Sequence, residues 1–291
     1  MRIEVKNLSY CYGEGSKALS VRALDDVNLT IEEGEFFGII GQTGSGKSTF
    51  VQHLNGLIKI AKNSGSIKVG EYDLSNKKCD LKGLRAKLGM VFQYPEYQLF
   101  AETVYGDVAF GIKNFMPEKT PEQTEQMVKE AIELVGLDYY KVKDKSPFEL
   151  SGGQKRRVAI AGVIVTKPEV LILDEPVAGL DPQGKREFIE LLHSLHSSFV
   201  KTIILVSHDM DLVAENCNRA AIFSHGKIVS VGTPKEIFKD EDKILALNLD
   251  LPVTAFLTKK LLDAGVSVDN DYTTDDFVRA AEKYFLGGNK A

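Results

Sequence analysis

Cysteine is scarce in this sequence and follows no pattern. The three cysteines are Cys11, Cys79 and Cys217, and none of them belongs to a CxxC pair. Because zinc sites and disulfide frameworks need paired or clustered cysteines, the sequence predicts neither of them. This usage favours a reducing, cytosolic environment.

Long hydrophobic runs are also absent. The longest apolar run extends from about Val158 to Val165, whereas a membrane-spanning helix needs ~18 or more apolar residues. The sequence also starts at Met1 without the apolar stretch of a signal peptide. We therefore expect any role at a membrane to depend on a partner protein.

Positive charge is not in excess either. The chain has 36 Lys and Arg residues against 41 Asp and Glu residues, which gives a net charge of −5. A mildly acidic chain is poorly suited to non-specific binding of nucleic acids or anionic lipids, so we expect no nucleic-acid partner. Hydrophobic residues make up 43% of the 291 residues, which is enough for a large core.

Short β-branched runs alternate with amphipathic stretches along most of the chain, which predicts an α/β fold with a buried sheet. The predicted strands are Ile3–Val5, Asn28–Ile31, Phe36–Ile40, Ile67–Val69, Lys87–Phe92, Val170–Asp174, Thr202–Val206, Ala220–Phe223 and Lys227–Val231. Helical patterns dominate from about Glu96 to Thr166, and we interpret this part as a helical insertion into the core. The strand pattern stops after Pro234, where one helix over Pro252–Ala264 and another from Thr274 are predicted.

A glycine-rich segment from Gly41 to Ser48 satisfies the pattern G-x-x-x-x-G-K-[ST]. It directly follows the predicted strand Phe36–Ile40 and precedes a helical pattern, which is the context that a phosphate-binding loop needs. Its glycines let backbone N–H groups turn towards phosphate oxygens, and the helix N-terminus favours an anion. Lys47 supplies a charge for the β- and γ-phosphates, and Ser48 supplies a hydroxyl for Mg²⁺. The predicted nucleotide-binding residues of this segment are Gly41, Gln42, Thr43, Gly44, Ser45, Gly46, Lys47, Ser48 and Thr49.

Two carboxylates end the apolar strand predicted over Val170–Asp174. Consecutive side chains on a strand point to opposite faces, but the chain turns where the strand ends, so Asp174 and Glu175 can both reach one site. We expect Asp174 to hold Mg²⁺ through water and Glu175 to accept a proton from, or orient, an attacking water. A solvated pair of carboxylates at a strand end is the alternative.

A Leu-Ser-Gly-Gly-Gln segment opens another helix. Its residues are Leu150, Ser151, Gly152, Gly153 and Gln154. The serine is predicted to cap the helix, and the two glycines leave the helix N-terminus open to an anion. The helix is apolar nearly all round after its first turn, so we expect it to be buried with only its N-terminus exposed. A plain helix cap is the alternative.

With the phosphate-binding loop and the two carboxylates, this segment makes residues 1–235 resemble the ABC ATPase family. The resemblance implies a P-loop NTPase (RecA-like) α/β core with an antiparallel β subdomain. It also implies a helical subdomain at about 96–166 and a short C-terminal helical extension at 236–291. In that family two subunits close head-to-tail around two ATP molecules, and each signature segment contacts the γ-phosphate of ATP held by the opposite subunit. ATP and Mg²⁺ are the implied cofactors.

Four further residues match motifs of that family. Gln93 matches the Q-loop glutamine that senses Mg²⁺ and the lytic water, and Asp181 lies in the D-loop. His208 matches the switch histidine, although a hydrogen-bonded histidine at a strand end is the alternative. Tyr12 matches the aromatic residue that stacks on adenine, and a packed core tyrosine is the alternative there.

The resemblance assigns two sets of residues around the γ-phosphate. The implied catalytic residues are Glu175, His208, Gln93 and Lys47. The implied metal ligands are Ser48, Gln93 and Asp174. Val177 is a departure, because the family usually has Thr or Ser at that position. We expect activity to survive, since no residue with an assigned role is changed.

Within the family, the chain resembles the CbiO-like ATPases of energy-coupling factor (ECF) transporters in the segments Val91–Phe100, Thr103–Val104, Asp107–Gly111 and Arg156–Val163. This implies a second ATPase subunit in a homo- or heterodimer, a transmembrane scaffold and a substrate-binding membrane protein. It implies import of a vitamin or a transition-metal ion and a peripheral location on the cytoplasmic face of the membrane. Another importer ATPase and a non-transport ABC ATPase are the alternatives.

Three further expectations follow from the ECF resemblance. The long loop Gly13–Ala23 resembles that of the second member of an unequal ATPase pair. Glu96 is a candidate partner for an arginine of the scaffold, and a solvated carboxylate is the alternative. The C-terminal helices are expected either to dimerise with the other ATPase or only to cover the core.

Overall fold

The computed structural model describes residues 1–13, 20–270 and 272–287. Its strands form an antiparallel four-stranded sheet of order β2-β1-β4-β5 and a six-stranded sheet of order β10-β9-β3-β8-β7-β6. The strands are β1 (Ile3–Tyr12), β2 (Val21–Ile31), β3 (Phe36–Gly41), β4 (Ser66–Val69), β5 (Tyr72–Asp73), β6 (Leu88–Val91), β7 (Val170–Asp174), β8 (Thr202–Val206), β9 (Arg219–Ser224) and β10 (Lys227–Gly232).

The strands β3, β6, β7, β8 and β9 of the larger sheet run parallel, and β10 runs antiparallel to β9. Parallel neighbours need crossover connections, and helices supply most of them here. The helices are α1 (Lys47–Leu54), α2 (Leu81–Lys87), α3 (Val104–Phe115), α4 (Pro121–Leu134), α5 (Tyr139–Val142), α6 (Gly152–Ile164), α7 (Pro182–Ser198), α8 (Met210–Asn216), α9 (Pro234–Phe238), α10 (Glu241–Ala246), α11 (Val253–Asp263) and α12 (Thr274–Gly287). The predicted α/β class is confirmed, and α3–α6 lie between β6 and β7 in the chain.

Each predicted strand is present, but several ends differ. β1 and β2 are longer than predicted, since β1 runs on to Tyr12 and β2 starts at Val21. The predicted loop Gly13–Ala23 is therefore shorter, and its residues 14–19 lie outside the described residues. The two-residue strand β5 and the short helices α9 and α10 were not predicted, because such short elements show no hydrophobic period. The domain boundaries at 235 and 236 stay predictions.

The parallel strands β3, β6, β7 and β8 of the larger sheet are buried on both faces. On β3, Phe36 and Ile40 belong to the core shared with α3, α4, α6, α7 and α8. Phe37 and Ile39 point the other way, into the core shared with α1 and the antiparallel sheet. This alternation follows from the two-residue period of a strand. With both faces packed, the carboxyl ends of the parallel strands are held firmly as a platform for the site.

Helix α8 attaches the C-terminal extension to the core. The Asp211 carboxylate accepts a 2.8 Å hydrogen bond from the N–H of Val253, the first residue of α11. The Glu215 carboxylate accepts a 2.7 Å bond from the N–H of Thr274, the first residue of α12. Carboxylates are favourable partners for the unpaired N–H groups of a helix N-terminus. Both C-terminal helices are thus fixed to the short helix that follows β8.

Candidate active site

The phosphate-binding loop joins β3 to α1, as predicted, and two of its glycines have no room for a side chain. Gly41 has φ 151°, and a Cβ there would lie 2.3 Å from the carbonyl oxygen of Phe223. Gly46 has φ 106°, and its Cβ would lie 2.4 Å from the carbonyl oxygen of Ala23. Gly44 has φ 81° with no atom within 4 Å of an added Cβ. Only glycine adopts these angles without strain, so the glycines of the sequence determine the conformation of the loop.

Lys47 lies inside this loop with 7% of its surface exposed. Its ammonium donates to the carbonyl oxygens of Gly41 and Gln42 at 2.6 and 2.9 Å. Burial lowers the pKa of Lys47, and the carboxylates of Glu175 and Asp174 partly counteract that effect. The cation is thus held at the centre of the loop, next to two acidic residues.

The loop residues fit a phosphate group. The Ser45 hydroxyl oxygen is buried and has no hydrogen-bond partner among the described residues. A buried hydroxyl without a partner is costly in a protein interior, so a ligand oxygen at this position would satisfy it. A phosphate would also replace the loop carbonyls as partners of the Lys47 ammonium, which favours an anion. The open space beside Gly44 leaves room for such a group.

Asp174 ends β7 and is 6% exposed. Burial raises the pKa of Asp174, and a hydrogen bond with the Ser48 hydroxyl opposes that rise. The hydroxyl and the carboxylate assigned to Mg²⁺ therefore lie side by side. They suit this cation, which prefers oxygen ligands and is commonly held by few protein groups together with phosphates and water. Within the described residues, no group of three or more His, Cys, Asp or Glu side chains could hold a metal by itself.

Glu175 and His208 are in direct contact. The His208 Nδ1–H donates to the Glu175 Oε2 at 2.8 Å. The parallel register of β7 and β8 pairs Asp174 with Val206, which brings the two strand ends together. Glu175 then turns away with φ 50°, an unusual angle for a residue that is not glycine, and its N–H donates to the Val206 carbonyl oxygen at 3.0 Å. The histidine is thus hydrogen-bonded at a strand end, and its partner is the predicted base.

Gln93 and Tyr12 lie at the borders of this region. Gln93 is exposed and follows β6, whose Val91 pairs with Leu173 of β7. It therefore stands at the same edge of the sheet as Asp174. Tyr12 is 43% exposed, so it is not a core residue, and its hydroxyl lies 3.1 Å from the Thr49 hydroxyl of α1. Stacking of Tyr12 on adenine stays a prediction.

The Leu-Ser-Gly-Gly-Gln segment forms the predicted cap. The Ser151 hydroxyl accepts from the Gln154 N–H at 3.3 Å, and the Gln154 side chain accepts from the Ser151 N–H at 3.1 Å. Neither Gly152 nor Gly153 would meet any atom within 4 Å if it gained a Cβ. Leu150 is buried, while the other four residues are exposed. The N-terminus of α6 is therefore open, and the rest of the helix is embedded in the protein.

Comparisons with known proteins agree with this arrangement. A sequence model of the family described as "ABC transporter" matches residues 24–178. An energy-coupling factor transporter ATP-binding protein EcfA2 from Clostridium tetani is 45% identical, with 100% of this chain and 99% of that protein covered. The EcfA2 of Clostridioides difficile is 49% identical over 94% of each chain. The chain belongs to the ABC transporter family.

Two solved structures extend the comparison. CbiO1 from Clostridium perfringens, described as part of the ABC transporter complex cbiONQ, has a TM-score of 0.70 and 40% identity. The match covers 88% of this chain and 98% of CbiO1. A dimeric post-hydrolysis state of the ATP-binding cassette MJ0796 with ADP and Pi has a TM-score of 0.70 and 28% identity, covering 80% and 98% of the two chains. This ABC protein is an ATPase of the energy-coupling factor type, with hydrolysis coupled to transport.

In this ABC ATPase, the N-terminus of α6 and the turn before α7 line a cavity of their own. A 400 Å³ cavity is bordered by Gly153, by Gly179 and by Asp181, and no P-loop residue borders it. Asp181 caps α7, since its carboxylate accepts from the Gly184 N–H at 2.6 Å. No helix among the described residues is long and apolar enough to span a membrane.

One expectation about the ABC ATPase was wrong. Glu96 is not a solvated carboxylate, because it forms a two-point ion pair with Arg156 of the same chain, whereas its pairing with a scaffold arginine stays a prediction. These residues are 60 positions apart, and no local pattern in the sequence links them.

Proposed function

We propose that this chain binds MgATP in the P-loop cradle and hydrolyses it to energise an energy-coupling factor importer from the cytoplasmic face of the membrane. The observation that carries the proposal is the 2.8 Å hydrogen bond between Glu175 and His208 beside the buried Lys47 and Asp174. A cation, a base and a polar group that orients the base stand at one edge of the sheet. This is the arrangement that attack of water on a terminal phosphate requires.

The hydrolysis step uses groups with distinct tasks. Water attacks the γ-phosphorus of ATP while its proton passes to the Glu175 carboxylate, and the bond to the β-phosphate oxygen breaks to give ADP and phosphate. Lys47 stabilises the negative charge on the phosphate oxygens. His208 holds the Glu175 carboxylate in place through its Nδ1–H. Mg²⁺, held by Ser48, Asp174 and Gln93, would further offset the charge of the phosphate oxygens.

A second ABC ATPase subunit, identical or different, is part of the proposal. The exposed N-terminus of α6 offers backbone N–H groups that make no hydrogen bond to the P-loop among the described residues. A helix N-terminus favours an anion, so the γ-phosphate of ATP on a facing subunit is a suitable partner. Each nucleotide would then be enclosed by two subunits, and ATP binding would close the dimer.

A groove between the core and α3 suits the transmembrane scaffold. It has a volume of 280 Å³ and is lined by Leu57, Phe100 and Phe110 among other residues. Phe100 and Phe110 are 61% and 49% exposed and stack edge to face at 4.9 Å. Exposed aromatic side chains around a depression favour an apolar partner segment. The segment Gln93–Phe100 joins this groove to the γ-phosphate site.

The transported substrate would be bound by a separate membrane subunit and would be a vitamin or a transition-metal ion, as in the ECF resemblance. The C-terminal helices α11 and α12 leave Phe256 and Phe285 about half exposed, at 50% and 56%. This exposed surface favours contact with the other ATPase over a purely covering role for the two helices. Both α11 and α12 would then stabilise the pair of ATPases.

Replacement of the base tests the catalytic assignment. Glu175→Gln keeps the side-chain size and an acceptor for His208 but removes the proton acceptor. We expect turnover to fall by roughly 10²–10⁴-fold with ATP affinity retained. The matched control is Glu169→Gln, the same change just before β7, where the carboxylate pairs with the exposed Lys201 at 3.5 Å. Turnover is measured as phosphate release, and unchanged hydrolysis by Glu175→Gln would refute the role.

Recovery of partners tests the transport assignment. The tagged full chain is purified from native membranes with mild detergent, and the associated proteins are identified by mass spectrometry. A second ABC ATPase together with two integral membrane proteins is the expected result. Recovery of the chain from the soluble fraction without any membrane protein would contradict it. Replacing Phe100 and Phe110 by Ser should release the membrane proteins and keep the ATPase pair.

A further inference from the structure

Arg156 is a buried charge that the roles assigned so far do not use. It lies on α6, five residues after the cap Ser151, and its side chain is 7% exposed. Burying an arginine without partners is very costly, so its contacts show what the fold holds in place. The described contacts of its guanidinium go to two other segments of the site.

The first segment is the turn after Gln93. The Arg156 Nε and Nη2 donate to the two carboxylate oxygens of Glu96 at 3.1 and 3.2 Å. Glu96 lies on the short 3₁₀ turn Pro95–Gln98 and is 19% exposed. A two-point arginine–carboxylate pair fixes orientation as well as distance. The signature helix is therefore joined rigidly to the segment that follows the Q-loop glutamine.

The second segment is the turn after the base. Both Nη1 and Nη2 of Arg156 donate to the Ala178 carbonyl oxygen at 3.0 Å. The same turn is closed by the Ala178 N–H, which donates to the Glu175 carbonyl oxygen at 3.2 Å. Glu175 has φ 50°, and such an angle persists in a residue other than glycine only where the surroundings hold it. The guanidinium clamps the carbonyl three residues beyond the base and so supports that angle.

We propose that Arg156 is a positioning residue for hydrolysis, which holds the turn of Glu175 in the conformation that places the base. The proposal rests on the proposed function, because it acts through Glu175. The residue connects three parts of the site: the signature helix, the segment after Gln93 and the base. A displacement of the signature helix at the partner's nucleotide would therefore be passed to the base of the chain's own site.

A role of Arg156 in stability alone can be distinguished from a positioning role. A second arginine–carboxylate ion pair of this chain serves as the comparison. Arg219 donates to the Glu35 carboxylate at 2.6 Å, and Glu35 is 14% exposed. That pair lies at the amino ends of β9 and β3, opposite the edge that carries Asp174. If the Arg156 pair only stabilised the fold, Arg219→Lys and Arg156→Lys would affect the protein in the same way.

The test compares Arg156→Lys with Arg219→Lys in the full chain, purified with its membrane partners. Lysine keeps the charge but has a single ammonium, which cannot hold both the Glu96 carboxylate and the Ala178 carbonyl in the arginine geometry. We expect Arg156→Lys to lower kcat by at least about tenfold, since small misplacements of a catalytic group carry such costs. The KM for ATP should stay within about twofold, because the P-loop is untouched.

Hydrogen exchange reports on the turn without any turnover. Amides of residues 175–181 should exchange faster in Arg156→Lys than in the parent, while those of β9 stay unchanged. In Arg219→Lys, the amides of β9 should exchange faster than in the parent, while those of residues 175–181 stay unchanged. Its kcat should equal the parental value. If Arg156→Lys does not fold, Glu96→Gln replaces it in the test. We expect the same amides to exchange faster in that variant and kcat to fall by a smaller factor.

Two results would overturn the proposal. One is that a folded Arg156→Lys keeps the parental kcat or the parental exchange of residues 175–181. Where that variant does not fold, the same result in Glu96→Gln would count. The other is an equal loss of kcat in Arg219→Lys. Glu175→Gln is measured beside these variants: if it keeps full turnover, the assignment of the base fails, and the exchange of residues 175–181 still decides whether Arg156 holds the turn.

Discussion

The substitution Gly46→Ala tests the geometry of the cradle most sharply. Gly46 is the N-cap of α1 with φ 106°, and the next two residues are Lys47 and Ser48. The added Cβ would lie 2.4 Å from the carbonyl oxygen of Ala23 in β2, whereas real Cβ atoms essentially never come within 3.0 Å. The start of α1 must then shift by at least 0.6 Å relative to β2, the difference of these two distances.

Two costs follow from this shift. A non-glycine residue at such a φ costs about 1–2 kcal/mol of stability, which lowers Tm by roughly 2–8 °C for a chain of this size. The second cost falls on function, because Lys47 and Ser48 move with the helix away from the phosphate position. Positional errors approaching 1 Å cost up to ~10²-fold in such sites, so we expect ATP affinity to fall by at least about tenfold.

Gly34→Ala is the matched control. Gly34 also has a positive φ of 95°, but its Cβ would meet no atom within 4 Å, and it lies in the turn before β3. We expect Gly34→Ala to lower Tm as much as Gly46→Ala does through backbone strain. Its ATP affinity should stay at the parental value. Affinity is measured by titration with a fluorescent ATP analogue, and Tm by circular dichroism. Parental ATP binding by Gly46→Ala, or equal loss of binding in Gly34→Ala, would show that the steric argument is wrong.

Three further predictions concern β8 and the helix after it. His208→Ala removes a hydrogen bond to a carboxylate, which typically contributes about 1.5–3 kcal/mol, so phosphate release should slow by roughly 10- to 100-fold; a parental rate would contradict this. Burial alone would raise the pKa of Asp209, but hydrogen bonds from Lys185 and from the backbone hold it below its ordinary value. This stabilisation is present above the pKa of the unfolded state, about 3.9, and is lost as pH falls through the folded value. Asp209→Asn should therefore lower the free energy of unfolding at pH 7 by less than about 1 kcal/mol, with the difference from the parent shrinking below about pH 4; a constant difference would refute it. Replacing Asp211 and Glu215 by Ala should lower stability by about 1 kcal/mol at each helix N-terminus and speed hydrogen exchange in α11 and α12. Unchanged exchange in these helices would show that α8 does not anchor them.

The contiguous parts of the site could be predicted from the sequence. The loop Gly41–Ser48 and the cap at Ser151 are built from neighbouring residues whose types fix the backbone, through positive φ angles at glycine and local side-chain hydrogen bonds. The parallel strands were predictable for a similar reason, since their apolar runs are buried on both faces of the sheet. Short elements such as β5 (Tyr72–Asp73) were not predicted because they are too short to show a hydrophobic period.

The contacts between distant segments were decided by the tertiary structure alone. Glu175 meets His208 because β7 and β8 pair in one particular register, and that register depends on the packing of the whole sheet. Glu96 meets Arg156 across 60 residues because α6 crosses the turn after β6, which no local pattern encodes. The sequence by itself therefore determined which chemical groups are present and the shapes of the phosphate-binding loop and of the cap at Ser151. Only the folded chain decided which of these groups touch, since a side-chain contact depends on the packing between elements and not on the residues within them.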